Sequence, residues 1–108
     1  MDGKRISTVL LAKFKACGKA AQGKIRNLSL GGLFVGTAAI PPTGETVRLR
    51  FRAPDGNIVD VSGLVWWTTA QSKDRRHRVP GFGLRLMDAN PAYEQAVRGM
   101  LKAQSARF

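Results

Sequence analysis

The chain has 108 residues and carries 18 Lys and Arg against 7 Asp and Glu, a formal net charge of +11, with 44% apolar residues. That length supports a single domain, residues 1–108, with one modest hydrophobic core; the lone cysteine, Cys17, excludes an internal disulfide and fits a reducing, cytoplasmic setting. No apolar run is long enough to cross a bilayer as a helix, and "MDGKRIS" lacks the apolar stretch of a signal peptide, so no membrane span is expected.

The elements follow in chain order. "STVLLAKFKA" (7–16) reads as a first strand, and "CGK" after it as a turn. "GKIRNLS" (23–29) is a short second strand, and "GGLFVGT" (31–37) a third that starts at two glycines. "PPTGE" is turn material. "TVRLRFRAP" (46–54) has the clearest alternation: Val47, Leu49 and Phe51 point one way, and Arg48, Arg50 and Arg52 the other. "PDGN" signals a hairpin. "IVDVSGLVWWTT" (58–69) is a long strand with a bulge or bend expected at Gly63. Its adjacent Trp66 and Trp67 are expected on opposite faces, one of them in the core. "AQSKDRRHRVP" (70–80) has no apolar period and reads as an exposed basic loop, and "GFGLRLMD" (81–88) is the last strand. Asn90 then suits a helix cap and Pro91 the first helical position. Tyr93, Val97, Met100 and Leu101 form one face of a helix running to about residue 104.

These elements predict an all-β fold, a small six- or seven-stranded antiparallel barrel over about residues 5–88, whose open end or edge is covered by one C-terminal helix over about 90–104. Nothing resembles an active site. The acids are scattered, no P-loop lysine follows a Gly-rich turn, and no nucleophile elbow is present. His77 has no second histidine or acid at useful spacing, and Cys17 no second cysteine, so neither metal nor cofactor is expected. The chain therefore reads as a binding module. Its basic charge favours an anionic partner: a nucleotide, a nucleic acid, an acidic protein face or an anionic membrane surface. Arg outnumbers Lys 11 to 7, which leans toward bidentate phosphate recognition. Nucleic acid is disfavoured because aromatics are only 7% of residues and no strand exposes several for base stacking.

Between the second and third strands stand Asn27, Ser29, Gly31 and Gly32. Asn and Ser bond turn backbone and Gly takes positive φ, so a structural turn explains them; an amide and a hydroxyl beside a backbone free of Cβ also suit a small-molecule site. The run resembles the signature of the PilZ domain family: Asp or Asn, one residue, Ser, two residues, Gly. Asn27, Ser29 and Gly32 match it fully. "GLFVGT", "PPTGETVRLRFRAPDG", "VSGLVWWT" and "GFGLRLMD", followed by a helix, fall in the family's order and extend the resemblance over nearly the whole chain.

The resemblance implies a six-stranded barrel that receives cyclic di-GMP on its outer surface, with Asn27 and Ser29 at a guanine and Gly32 clearing the backbone turn. The family's second motif is a pair of arginines separated by three residues, before the first strand. Arg5, 22 residues before Asn27, falls where the second arginine is expected, and Met1 where the first is expected. Half the pair is therefore absent, and weakened nucleotide binding is expected. Lys4 offers a point charge without a stacking plane, and Arg26 beside the motif offers a second phosphate contact. Arg48, Arg50 and Arg52 are either the polar face of a half-buried strand or a docking face for an acidic protein. A domain that has lost the nucleotide and acts as an adaptor is the alternative function.

Overall fold

The computed structural model describes residues 5–69, 80–87 and 90–105. Six strands, β1 (Ile6–Ala16), β2 (Lys19–Leu28), β3 (Gly32–Gly36), β4 (Thr46–Arg52), β5 (Ile58–Thr68) and β6 (Gly81–Leu86), precede one helix, α1 (Pro91–Ser105). All strand pairs are antiparallel, and they close into a barrel in the order β1-β2-β3-β6-β5-β4. The barrel thus has six strands and no seventh among the described residues. Met1, Lys4, and the basic loop from Lys73 to Arg78 with His77 lie outside the described residues.

Alternation builds the wall. In β4, Val47, Leu49 and Phe51 are almost fully buried and the arginines between them are exposed; each such apolar side chain is worth about 1.5–3 kcal/mol when taken out of water. Val59, Val61 and Val65 of β5, Phe82 and Leu84 of β6 and Ile25 of β2 complete the interior.

β2 begins at Lys19, earlier than expected, because Cys17 and Gly18 form the whole loop between Ala16 and Lys19. Ala20, Ala21 and Gln22 have weak strand preference, but their pairing with β1 makes them strand. The irregularity expected at Gly63 lies instead between Val65 and Trp67, where the β5–β6 register shifts. That extra residue corrects the reading of the tryptophans. Val65 and Thr68 both point inward, so Trp66 and Trp67 both lie on the outer side and neither is in the core.

The helix covers a barrel end, since a closed barrel has no edge to protect. Asn90 caps it: its Oδ1 accepts from the Tyr93 amide at 3.0 Å, and its Nδ2 donates to the Asp60 carbonyl at 2.6 Å, tying the helix start to β5. Tyr93, Ala96, Val97 and Met100 are buried, and Leu101 packs at the margin. Among the described residues, no helix is long and apolar enough to cross a membrane.

Candidate functional site

The chain turns from β2 to β3 through Ser29–Gly31, and this turn is held from two sides. The Ser29 amide donates to the Gly32 carbonyl at 2.8 Å, and the Ser29 hydroxyl lies 3.4 Å from the same oxygen. From the helix, the Tyr93 hydroxyl donates to the Ser29 carbonyl at 2.6 Å and lies 3.2 Å from the Gly32 carbonyl. Burial pushes the Tyr93 phenol well above its ordinary range, against smaller opposing effects of the Arg5 charge and the Ser29 hydrogen bond, so the hydroxyl remains a donor at any ordinary pH. Gly32 is required for a different reason from the positive φ of a turn glycine. It pairs with Arg85 of β6, and a Cβ built on it would stand 2.4 Å from the Leu84 carbonyl oxygen. The two backbones approach too closely for any side chain.

Arg5 comes to this turn from the far side of the motif. Its Nη1 donates to Asn27 Oδ1 at 2.5 Å, bridging 22 residues of sequence. Beside the pair lies an open concavity of about 220 Å³, lined by Arg5, Ser29, Gly31 and Gly32 and closed on its other side by Trp66, Leu84 and Arg85. The Arg85 guanidinium lies 5.0 Å from the centroid of the Trp66 ring, and Trp66 is 47% exposed. The result is two guanidiniums and an exposed indole around one small depression, with the Asn27 amide tied to its rim through Arg5. Planar cations favour phosphate oxygens and the indole a flat ring system. Among the described residues, no group of three His, Cys, Asp or Glu stands where it could hold a metal ion.

The structure therefore brings together Arg5, Asn27, Ser29 and Gly32. It leaves Arg26 exposed on β2, outside the lining of the concavity. Arg48, Arg50 and Arg52 lie on another wall; Arg50 pairs with Asp60 at 2.9 Å and Arg52 donates to the Gly56 carbonyl at 3.2 Å. Two side chains at the concavity were not expected from sequence. Arg85 alternates with buried Leu84, which already places it outside, but only barrel closure shows that β6 lies beside β3. Trp66 reaches the same wall through the β5 bulge.

The sequence profile of the PilZ domain matches residues 2–103. The chain belongs to the PilZ domain family. Solved structures similar to this PilZ domain include the inhibitor of motility MotI/DgrA of Bacillus subtilis, with a TM-score of 0.79 and 19% identity over 96% of this chain and 50% of that one. The PilZ domain of YcgR from Escherichia coli, solved with c-di-GMP, has a TM-score of 0.72 and 15% identity over 96% of this chain and 92% of that one. The PilZ domain of CeSA from a cellulose-synthesizing bacterium has a TM-score of 0.63 and 17% identity over 95% and 99% of the two chains. At these identities the likeness is one of fold. The chain spans half the length of MotI/DgrA and nearly all of the other two domains. No curated protein sequence matches it.

Proposed function

We propose that this PilZ domain is a non-enzymatic receptor for cyclic di-GMP, with the ligand held against the outer wall at the β2–β3 turn. The observation that carries this reading is the junction of Arg5 with Asn27 beside Ser29 and Gly32. It supports an arginine in register with the family's phosphate-binding position, although sequence alone left that register open. The YcgR domain of the same fold was solved with this nucleotide. Asn27 offers an amide to a guanine edge, Arg5 a fork for phosphate, and Trp66 with Arg85 a surface on which a second flat group can rest. The concavity, about 220 Å³, is below the roughly 300–1,000 Å³ of pockets that enclose small ligands, so the dinucleotide lies on the surface and stays partly solvated. Met1 stands where the family's first arginine would stand, and the loss of one charge-assisted contact, about 1.5–3 kcal/mol, weakens binding roughly ten- to a hundred-fold.

Titration calorimetry with cyclic di-GMP tests the reading. Binding is expected for the wild type, lost in Arg5→Ala and Asn27→Ala without a change in melting temperature, and weakened in Trp66→Ala. An arginine at position 1, behind a new start residue, is expected to tighten it. No heat with the wild type or with the added arginine would refute the receptor reading and leave the nucleotide-independent adaptor. Undiminished binding in Arg5→Ala would place the ligand elsewhere.

A further inference from the structure

In the barrel, β1 lies between β2 and β4, and β6 is the strand farthest from it around the ring. The registers there set basic residues directly against one another. Lys13 faces Arg50, and Lys15 faces Arg48. Like charges opposite each other on one face destabilise a sheet, and all four side chains are exposed. Asp60 answers only one of them, through its pair with Arg50. A fold that needed only a polar outer face would not require this arrangement. The same four residues bound a shallow depression of about 520 Å³. Further along β1, on the same outward side, Leu11 is 73% exposed and Val9 60%. Lys24 stands across from Leu11 on β2.

We infer that this wall docks on an anionic lipid surface, with Lys13, Lys15, Arg48 and Arg50 at the phosphate headgroups and Leu11 and Val9 inserted among the acyl-chain ends. Charge complementarity fixes the sign of the partner, and the two aliphatic side chains fix its kind. Protein–protein interfaces favour aromatic residues and Arg and are depleted of Lys. This wall has two lysines at its centre, and its outward apolar groups, Leu11 and Val9, are aliphatic. A nucleic acid gives aliphatic side chains nothing to enter, whereas basic residues flanking exposed aliphatic ones are how a surface binds in the interfacial plane. The proposal does not depend on the nucleotide reading.

Flotation with vesicles tests it, using phosphatidylcholine alone and an equal mixture of phosphatidylcholine and phosphatidylglycerol. The wild type is expected to float only with the anionic mixture. Each removed charge lowers partition about fivefold, so the Lys13→Gln/Lys15→Gln variant is expected to bind about 25-fold less. Leu11→Ser is expected to bind several-fold less at unchanged charge and Leu11→Phe more. All three substituted positions are exposed, and far-UV circular dichroism confirms the fold of each variant. Failure of the wild type to float with anionic vesicles overturns the proposal. So does equal binding by Leu11→Ser, Leu11→Phe and wild type, which would mark the wall as a site for a soluble polyanion or an acidic protein.

Discussion

Tyr93 joins the two halves of the molecule through one hydroxyl, and its chemistry can be measured apart from any ligand. Its donor goes to the Ser29 carbonyl, and the ring packs edge-on against Phe51 at 6.3 Å between centroids. In Tyr93→Phe the ring remains, but a buried carbonyl loses its donor, at a cost of about 1–3 kcal/mol near neutral pH. The alkaline limb is more diagnostic. Folding raises this phenol above its ordinary value of 10, chiefly by desolvation. Above about pH 10 the unfolded chain therefore releases a proton that the folded chain keeps. The unfolded state then binds fewer protons, so stability is full below pH 10 and falls as pH rises, until the folded phenol itself ionises. The contribution reaches about 1.4 kcal/mol per pH unit. Denaturant unfolding between pH 9 and pH 11 should show a steeper loss in wild type than in Tyr93→Phe. Parallel curves would mean that the phenol is not desolvated as the structure shows.

At the scale of elements, the strands that could be read from sequence were those whose alternation coincides with a face. In β4, Val47, Leu49 and Phe51 were legible as the inner side because nothing interrupts them. The two tryptophans were not, because a bulge inserts a residue without altering composition, and only the partner strand shows which position is extra. At the site, Asn27, Ser29 and Gly32 were legible as a motif. Arg85 and Trp66 were not, since their place beside it depends on which strands become neighbours. The β1–β2 hairpin shows a local conflict that sequence could have raised. Cys17 has φ +55° and Gly18 φ +75°, the pair of positive angles that a two-residue type I′ loop demands. Gly meets the demand freely, whereas cysteine at the first position is strained by its Cβ. Asn tolerates that conformation. Cys17→Asn is therefore expected to raise the melting temperature by a few degrees, and Cys17→Val, with a branched Cβ, to lower it. Calorimetric melts of the three proteins decide this, and a fall in Cys17→Asn would show that the thiol's surroundings, including Glu45, hold the loop more strongly than its backbone preference.

For the whole molecule, the charge that points to anionic partners also works against the folded state. The net charge of +11 is carried on a body of about 37 × 30 × 24 Å. At roughly 10 mM salt the Debye length is about 30 Å, so each charge is felt across most of the protein; at 150 mM it is about 8 Å, and only neighbours interact. Unfolding spreads the charges apart, so self-repulsion penalises the compact state. Among the described residues the only ion pair, Arg50–Asp60, is exposed, and screening it loses little. The opposed pairs Lys13–Arg50 and Lys15–Arg48 gain from the same screening. Repulsion therefore outweighs attraction, and the melting temperature is expected to rise between 10 and 150 mM sodium chloride, the reverse of a protein held by surface salt bridges. Arg48→Glu turns one repulsive cross-strand pair into an attractive one. It should raise the melting temperature at low salt and show a shallower salt dependence than wild type. If wild type melts lower as salt is added, or if Arg48→Glu is less stable than wild type at 10 mM, then the β1–β4 wall is not under repulsive load, and its basic residues would need no partner to account for them.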